Sequence, residues 1–161
     1  MKLSIQVLGF ITLLMFIAAG CKKENGNDIN PDMPLAERSI IDTAYGTDQQ
    51  QKMDIYLPAG RNDRTKTIVL IHGGGWTGGS KTDLTVAIPE LKKYFPGYAI
   101  ANINYRLASN GTTHLFPTQE NDVKAAINFL TENSDELHIA KNMVLTGFSA
   151  GAHLALLHGY K

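Results

Sequence analysis

The sequence predicts an α/β fold, a mostly parallel sheet with helices on both faces, and two observations carry that expectation. Short, continuous apolar runs recur along the chain, as strands buried on both faces require. Between them lie apolar residues at helical spacing, the alternation that builds a parallel sheet covered on both sides. Residues 51–57 come first, where Met53, Ile55 and Leu57 alternate with more polar neighbours as in a half-buried strand. Pro58-Ala59-Gly60 ends it, and residues 61–66 read as a polar turn. Ile68-Val69-Leu70-Ile71 is the first fully apolar run; residues 99–105 and Met143-Val144-Leu145 are read the same way. A short antiparallel strand or two is expected at the start. Leu84, Ile88, Leu91 and Phe95 fall on one helical face, with Pro89 either kinking that helix or starting its real body. Val123, Ala126, Ile127 and Leu130 form a cleaner stripe, with Pro117 expected in the first turn.

Composition sets the class. With 161 residues, 43% hydrophobic and 19% charged, the chain is globular in character and suits one domain. Its 15 basic and 15 acidic residues are scattered, so the basic stripe of a nucleic-acid binder is absent. The first residues differ from the rest. Lys2 precedes an almost wholly apolar run over residues 7–19, and Ala18-Ala19-Gly20 leads directly to Cys21. That is the layout of an export signal, and the run is shorter than the about 20 residues a membrane span needs. Cys21 is the sole cysteine and has no internal disulfide partner. Its position resembles a bacterial lipoprotein signal, which implies lipidation of Cys21 and a membrane-anchored lipoprotein in the periplasm or on the cell surface; the alternative is secretion with a free thiol. The expected organisation is a signal over 1–20, a polar, Gly- and Pro-containing tether over 21–37 and an α/β domain over 38–161.

Two motifs carry chemistry. His72-Gly73-Gly74-Gly75-Trp76 follows the run that ends at Ile71. Consecutive glycines let a backbone bend sharply and offer bare N–H groups to a substrate atom. Such donors stabilise the oxyanion of acyl transfer, each contributing about 2.7–4 kcal/mol to barrier lowering. Glycine runs also occur in linkers, and a phosphate loop is a further rival, but the Lys-Ser/Thr ending of the latter is missing. Gly147-Phe148-Ser149-Ala150-Gly151 follows the last apolar run, with Ala152, Leu154, Ala155 and Leu156 continuing as a helix. A serine on a tight strand-to-helix turn is pushed outward, and flanking glycines permit the packing such a turn needs. Both motifs stand where open α/β sheets place their ligands, at the C-terminal ends of strands.

These motifs, together with Tyr45-Gly46, the Met53-Asp54-Ile55-Tyr56-Leu57-Pro58 stretch, Asn104-Tyr105-Arg106-Leu107 and Asp122-Val123-Lys124-Ala125-Ala126, resemble the α/β-hydrolase superfamily from about Ile40 to the last residue. The likeness is to bacterial feruloyl and acetylxylan esterase-like and hormone-sensitive-lipase-like carboxylesterases. It implies the N-terminal part of an α/β-hydrolase fold. By resemblance, Ser149 is the nucleophile, and Gly74, Gly75 and Ala150 supply oxyanion N–H groups. His72, Gly73 and Trp76 support the loop, and Tyr105 and Arg106 brace it from the neighbouring strand. No metal or cofactor is expected. The implied partner is a small-molecule or polysaccharide ester, with acetyl or feruloyl esters suggested by the export signal, and any membrane contact runs through a lipid at Cys21.

The superfamily order is serine, then acid, then histidine. Twelve residues follow Ser149, with no acid among them and with His153 and His158 on the outgoing helix, where neither folds back onto the serine. The expectation is a chain without its triad acid and histidine, whose last strand lacks an outer partner. His114 and His138 read as surface residues, and Glu120 and Asp122 as first-turn carboxylates that favour the helix dipole. Two alternatives stay open: a catalytically inactive fragment or binding relic, and an arylformamidase-like hydrolase with a similar His-Gly-Trp loop.

Overall fold

A computed structural model describes residues 33–109 and 111–160. The expected signal over 1–20, Cys21 and the tether up to residue 32 lie outside the described residues.

Five strands form one sheet in the order β1-β2-β4-β3-β5: β1 (Arg38–Ala44), β2 (Lys52–Leu57), β3 (Thr67–Ile71), β4 (Ala99–Ile103) and β5 (Met143–Gly147). β2 pairs antiparallel with both β1 and β4, while β3 pairs parallel with β4 and β5, so β2 alone runs against the other four. The mostly parallel sheet read from the sequence is therefore present, with its reversed strand second. β3 and β4 are buried along their whole length, as their unbroken apolar runs require.

β5 departs from that pattern. It lies at the edge of the sheet and is half-buried, with Val144 49% exposed. Its apolar run predicts burial on both faces, but a run reports only that a segment is apolar, whereas burial depends on what covers the faces at the strand's place in the sheet. The unpartnered outer edge itself was expected.

Helices cover both faces. On one, Val123, Ala126 and Leu130 of α2 (Thr118–Glu132) and Leu154 and Ala155 of α4 (Ala150–Gly159) pack with Met53, Ile55, Val69, Ile71, Ala101 and Ile103. On the other, a 3₁₀ helix over Lys81–Ala87 leads into α1 (Ile88–Tyr94), whose Ile88 joins Ile68, Leu70 and Ile100, with Leu84 and Leu91 against them. Pro89 stands in the first turn of α1, so it starts the helix rather than kinking it. Phe95, expected on the apolar face, caps α1 instead and is largely exposed. Pro117 stands one residue before α2, at its N-cap. A short helix, α3 (Ser134–Leu137), follows α2.

A charged knot joins β1, β2 and the 3₁₀ helix. The buried Lys81 amine reaches both Asp54 oxygens at 2.8 Å and Asp42 at 2.9 Å. Burial pulls its pKa down, but the hydrogen bonds it donates to Asp54 and Asp42 outweigh that and hold it above the usual lysine value. Asp42 occupies the irregularity in the β1–β2 register with φ of 56°. No local pattern announces this knot, because its members are far apart along the chain.

Candidate active site

The serine turn rests on the end of β3. Ile71 pairs with Gly147 across the β3–β5 ladder, and the Ile71 carbonyl accepts a hydrogen bond from Phe148 N at 3.2 Å. The turn sits so close that side chains are excluded from both flanking positions. A Cβ on Gly151 would stand 2.0 Å from the Ile71 oxygen, and one on Gly147 would stand 2.6 Å from it. Between them Ser149 adopts φ 52° and ψ −117°, a strained conformation for a residue with a side chain. The chain continues at once into α4, where Gly151 N bonds to Phe148 O and His153 N to Ser149 O. Ser149 is exposed and its side chain makes no cap bond to α4. The helix N-terminus adds a positive dipole beside it.

The glycine loop follows β3 directly. His72 is buried and stacks parallel on Tyr105, with ring centroids 4.2 Å apart. Its Nδ1 lies 2.7 Å from the Gly73 carbonyl, so Nδ1 carries the proton and donates. Burial lowers the His72 pKa, more than the Gly73 bond raises it, and keeps the ring neutral at pH 7. The Tyr105 hydroxyl donates toward His72 O at 3.2 Å and Gly73 O at 3.1 Å, and burial pushes its pKa up to about 12. Past this brace, Gly74 turns with φ of 103°; a Cβ there would meet Gly78 O at 2.1 Å. The Gly74 carbonyl accepts from Thr77 N and Gly78 N, closing the turn. The amides of Gly74, Gly75 and Ala150 donate none of the loop and cap hydrogen bonds among the described residues.

Loop and serine turn lie close together. A Cβ on Gly73 would lie 3.4 Å from Ser149 Cβ and 2.9 Å from Phe148 O. Trp76 then meets His153 edge-on at 5.4 Å, and a cavity of about 310 Å³ opens between them, walled by Gly75, Trp76, Leu115, Phe116, Leu154 and Leu157.

Two side chains do other work than the sequence suggested. Arg106 does not brace the glycine loop. Its guanidinium turns away to form a two-pronged bond with Asp122 at 2.6–3.1 Å, a stronger claim on a planar cation than loop carbonyls make. Asp122, expected to serve a helix dipole, is fully buried and also accepts from Arg106 N at 2.8 Å and from Gln51 Nε2 at 2.8 Å. His114 is half-buried, with Nδ1 3.2 Å from Leu107 O, while His138 is exposed. No hydrogen bond joins any described histidine ring to Ser149. Among the described residues no group of three His, Cys, Asp or Glu side chains is placed to hold a metal. Leu115, Phe116 and Gln119 also line the cavity without belonging to any motif; two large apolar residues just before Pro117 are the signal the sequence carries for them.

Comparison with known proteins agrees with this architecture. The BD-FAE family model matches residues 53–161. The kynurenine formamidase of Danio rerio is 29% identical over 121 residues, which are 74% of this chain and 38% of that protein. A bifunctional GH43-CE protein of Bacteroides eggerthii superposes with a TM-score of 0.63 at 34% identity, over 74% of this chain and 17% of that one. A truncated carbohydrate esterase from gut microbiota superposes with a TM-score of 0.61 at 30% identity, over 73% and 41% respectively. The chain thus spans well under half the length of these relatives. It has the α/β-hydrolase fold of carboxylesterase-like proteins and belongs to the BD-FAE family.

Proposed function

We propose that this member of the BD-FAE family supplies the nucleophile and the oxyanion donors of a serine ester hydrolase. The observation that carries the reading is the close approach of Gly73 to Ser149, near enough that a Cβ on Gly73 would stand 3.4 Å from Ser149 Cβ, which sets an exposed, conformationally strained hydroxyl beside a loop with undonated amides. In the reaction, Ser149 Oγ gives its proton to a base and bonds to the ester carbonyl carbon. Negative charge then collects on the carbonyl oxygen, where the Gly74, Gly75 and Ala150 N–H groups stabilise it. Collapse expels the alcohol, which takes the proton, and water later frees the acid from the acyl-serine. The base is a histidine oriented by a carboxylate, both supplied from beyond the residues described.

The similar carbohydrate esterase favours a sugar-linked ester, with acetyl or feruloyl groups as the acids released. The likeness to a kynurenine formamidase favours a second reading, hydrolysis of an aryl formamide by the same serine. Side-by-side assays of p-nitrophenyl acetate and N-formylkynurenine separate the two. For the serine itself, a fluorophosphonate probe is expected to label the folded protein that carries this histidine and carboxylate, and Ser149→Ala to abolish labelling. Label on another residue, or none on that folded protein, overturns the reading and leaves a non-catalytic role. We also propose export with a lipid on Cys21; incorporation of labelled palmitate that persists in Cys21→Ser would contradict it.

A further inference from the structure

The cavity between Trp76 of the glycine loop and α4 has an outer wall that the catalytic reading does not explain. Leu115 and Phe116 are 49% and 71% exposed, yet they stand in a fixed loop facing Trp76 and α4. Large apolar side chains left at the mouth of an apolar cavity mark a binding surface rather than a core.

What fixes the wall is a buried polar clasp. Gln119 is only 4% exposed and reaches the cavity. Its Nε2 donates to Arg106 O at 2.9 Å and to His114 O at 2.7 Å, so both amide hydrogens are spent on carbonyls at opposite ends of the loop. The Arg106 end is anchored in turn by Asp122, and the loop meets the glycine loop through Ala108 N and Trp76 O at 2.8 Å. Drawing Arg106 and His114 together sets where Leu115 and Phe116 begin.

We propose that Gln119 is a positioning residue that sets the cavity's outer wall, so that the site takes an uncharged, apolar group of its substrate. This rests on the hydrolase reading for the word substrate, but the binding itself does not. A volume of about 310 Å³ admits on the order of ten heavy atoms at about 30 Å³ each. The cavity walls carry no Asp, Glu, Lys or Arg, and their one titratable side chain, His153, packs edge-on against Trp76, so a charged group finds no permanent counter-charge there in return for lost hydration.

Trp76 is the only tryptophan and lines the cavity, so its emission reports occupancy without any turnover. In the full chain bearing Ser149→Ala, titration with 1-octanol is expected to give a saturable change in Trp76 emission that ethanol does not. Adding Gln119→Glu keeps the size of the side chain but turns an acceptor toward two carbonyl oxygens. Octanol binding is then expected to weaken at least ten-fold at pH 8 while the thermal midpoint shows the chain still folded. Should that variant not fold, Phe116→Ala, at an exposed position, is expected to weaken octanol binding by a similar factor. No saturable response to octanol, or equal affinity in a folded variant, overturns the proposal. Because the nucleophile is absent throughout, failure here leaves the fluorophosphonate result for Ser149 untouched, and failure of labelling leaves this result standing.

Discussion

Replacing Gly151 with alanine tests the packing that creates the serine turn. The new Cβ would stand 2.0 Å from Ile71 O, 2.5 Å from His72 O and 2.6 Å from Ile71 C. The first of these is about 1.4 Å short of ordinary van der Waals contact. All three obstacles are backbone of β3 or its immediate extension, so no side chain can swing aside. Either α4 moves away from β3, or β3 itself bends within a sheet where both its neighbours hold it. Overpacking of this kind costs about 1–3 kcal/mol where a core can adjust. With only backbone to yield, the upper end, about 3 kcal/mol, is expected.

Gly75→Ala is the matched control. Its Cβ would meet nothing within 4 Å, but its φ of 59° disfavours any side chain. Left-handed backbone alone costs about 1–2 kcal/mol per residue. Urea unfolding followed by far-ultraviolet circular dichroism should therefore rank parent above Gly75→Ala above Gly151→Ala. A shift of the elbow by even 1 Å also degrades reactive geometry about 100-fold, so fluorophosphonate labelling should fall further in Gly151→Ala than its stability loss explains. Gly151→Ala within about 0.5 kcal/mol of the parent, a neutral result by ordinary surface standards, would refute the packing argument.

Asp122→Asn removes the charge that holds Arg106 and should cost about 2–3 kcal/mol in urea unfolding, below the full penalty for a broken buried pair because Arg106 keeps some solvent contact. Adding Arg106→Met to Asp122→Asn should recover part of that loss, since the unpaired charge is gone while the side chain at 122 keeps an oxygen for Arg106 N and Gln51 Nε2. The His72 pKa is lower in the folded chain than the unfolded value of about 6.5. Protons therefore bind the unfolded state first on acidification, and the stability present above about pH 6.5 is lost as pH falls toward the folded value. The stability difference between parent and His72→Asn should accordingly shrink from pH 7.5 to pH 5; a constant gap would show that His72 does not titrate on unfolding.

Much of the architecture was legible because it rests on patterns local in sequence. β3 and β4 are unbroken apolar runs, and the chain spends them in the middle of the sheet, where both faces are covered. Val123, Ala126 and Leu130 repeat at helical spacing, and all three are fully buried against the sheet. β5 shows the limit of such reasoning. Met143, Val144 and Leu145 are as apolar as their counterparts in β3, yet Val144 is half-exposed because position at the sheet edge, not residue type, decides burial. β1 has no clear local pattern for a related reason: the alternation after Ile40 is broken by a register irregularity between Ile40 and Thr43 that only pairing with β2 produces.

The candidate site divides along the same line. Its glycines announce themselves because backbone packed on backbone leaves no room for another residue type. Gly147 and Gly151 meet the Ile71 carbonyl, Gly74 meets Gly78, and Gly79 would bring a Cβ 2.8 Å from Gly73 O. Such positions accept one amino acid, so geometry writes itself into the sequence. The clasp leaves no such mark. Gln119 touches Arg106 and His114 through side-chain hydrogens that can be aimed at many acceptors, and Asp122 gathers Gln51 from 71 residues away. Arg106 beside Tyr105 looked like a second brace for the glycine loop by adjacency alone, but alternation along an extended chain sends neighbouring side chains to different surroundings. Tyr105 reaches the loop carbonyls, and Arg106 turns to a carboxylate on α2. The residues proposed for the chemical step are thus fixed by steric exclusion, whereas those proposed to shape the cavity are fixed by interchangeable polar contacts. Substrate preference can then drift by changing the clasp and the wall while the serine turn stays as it is.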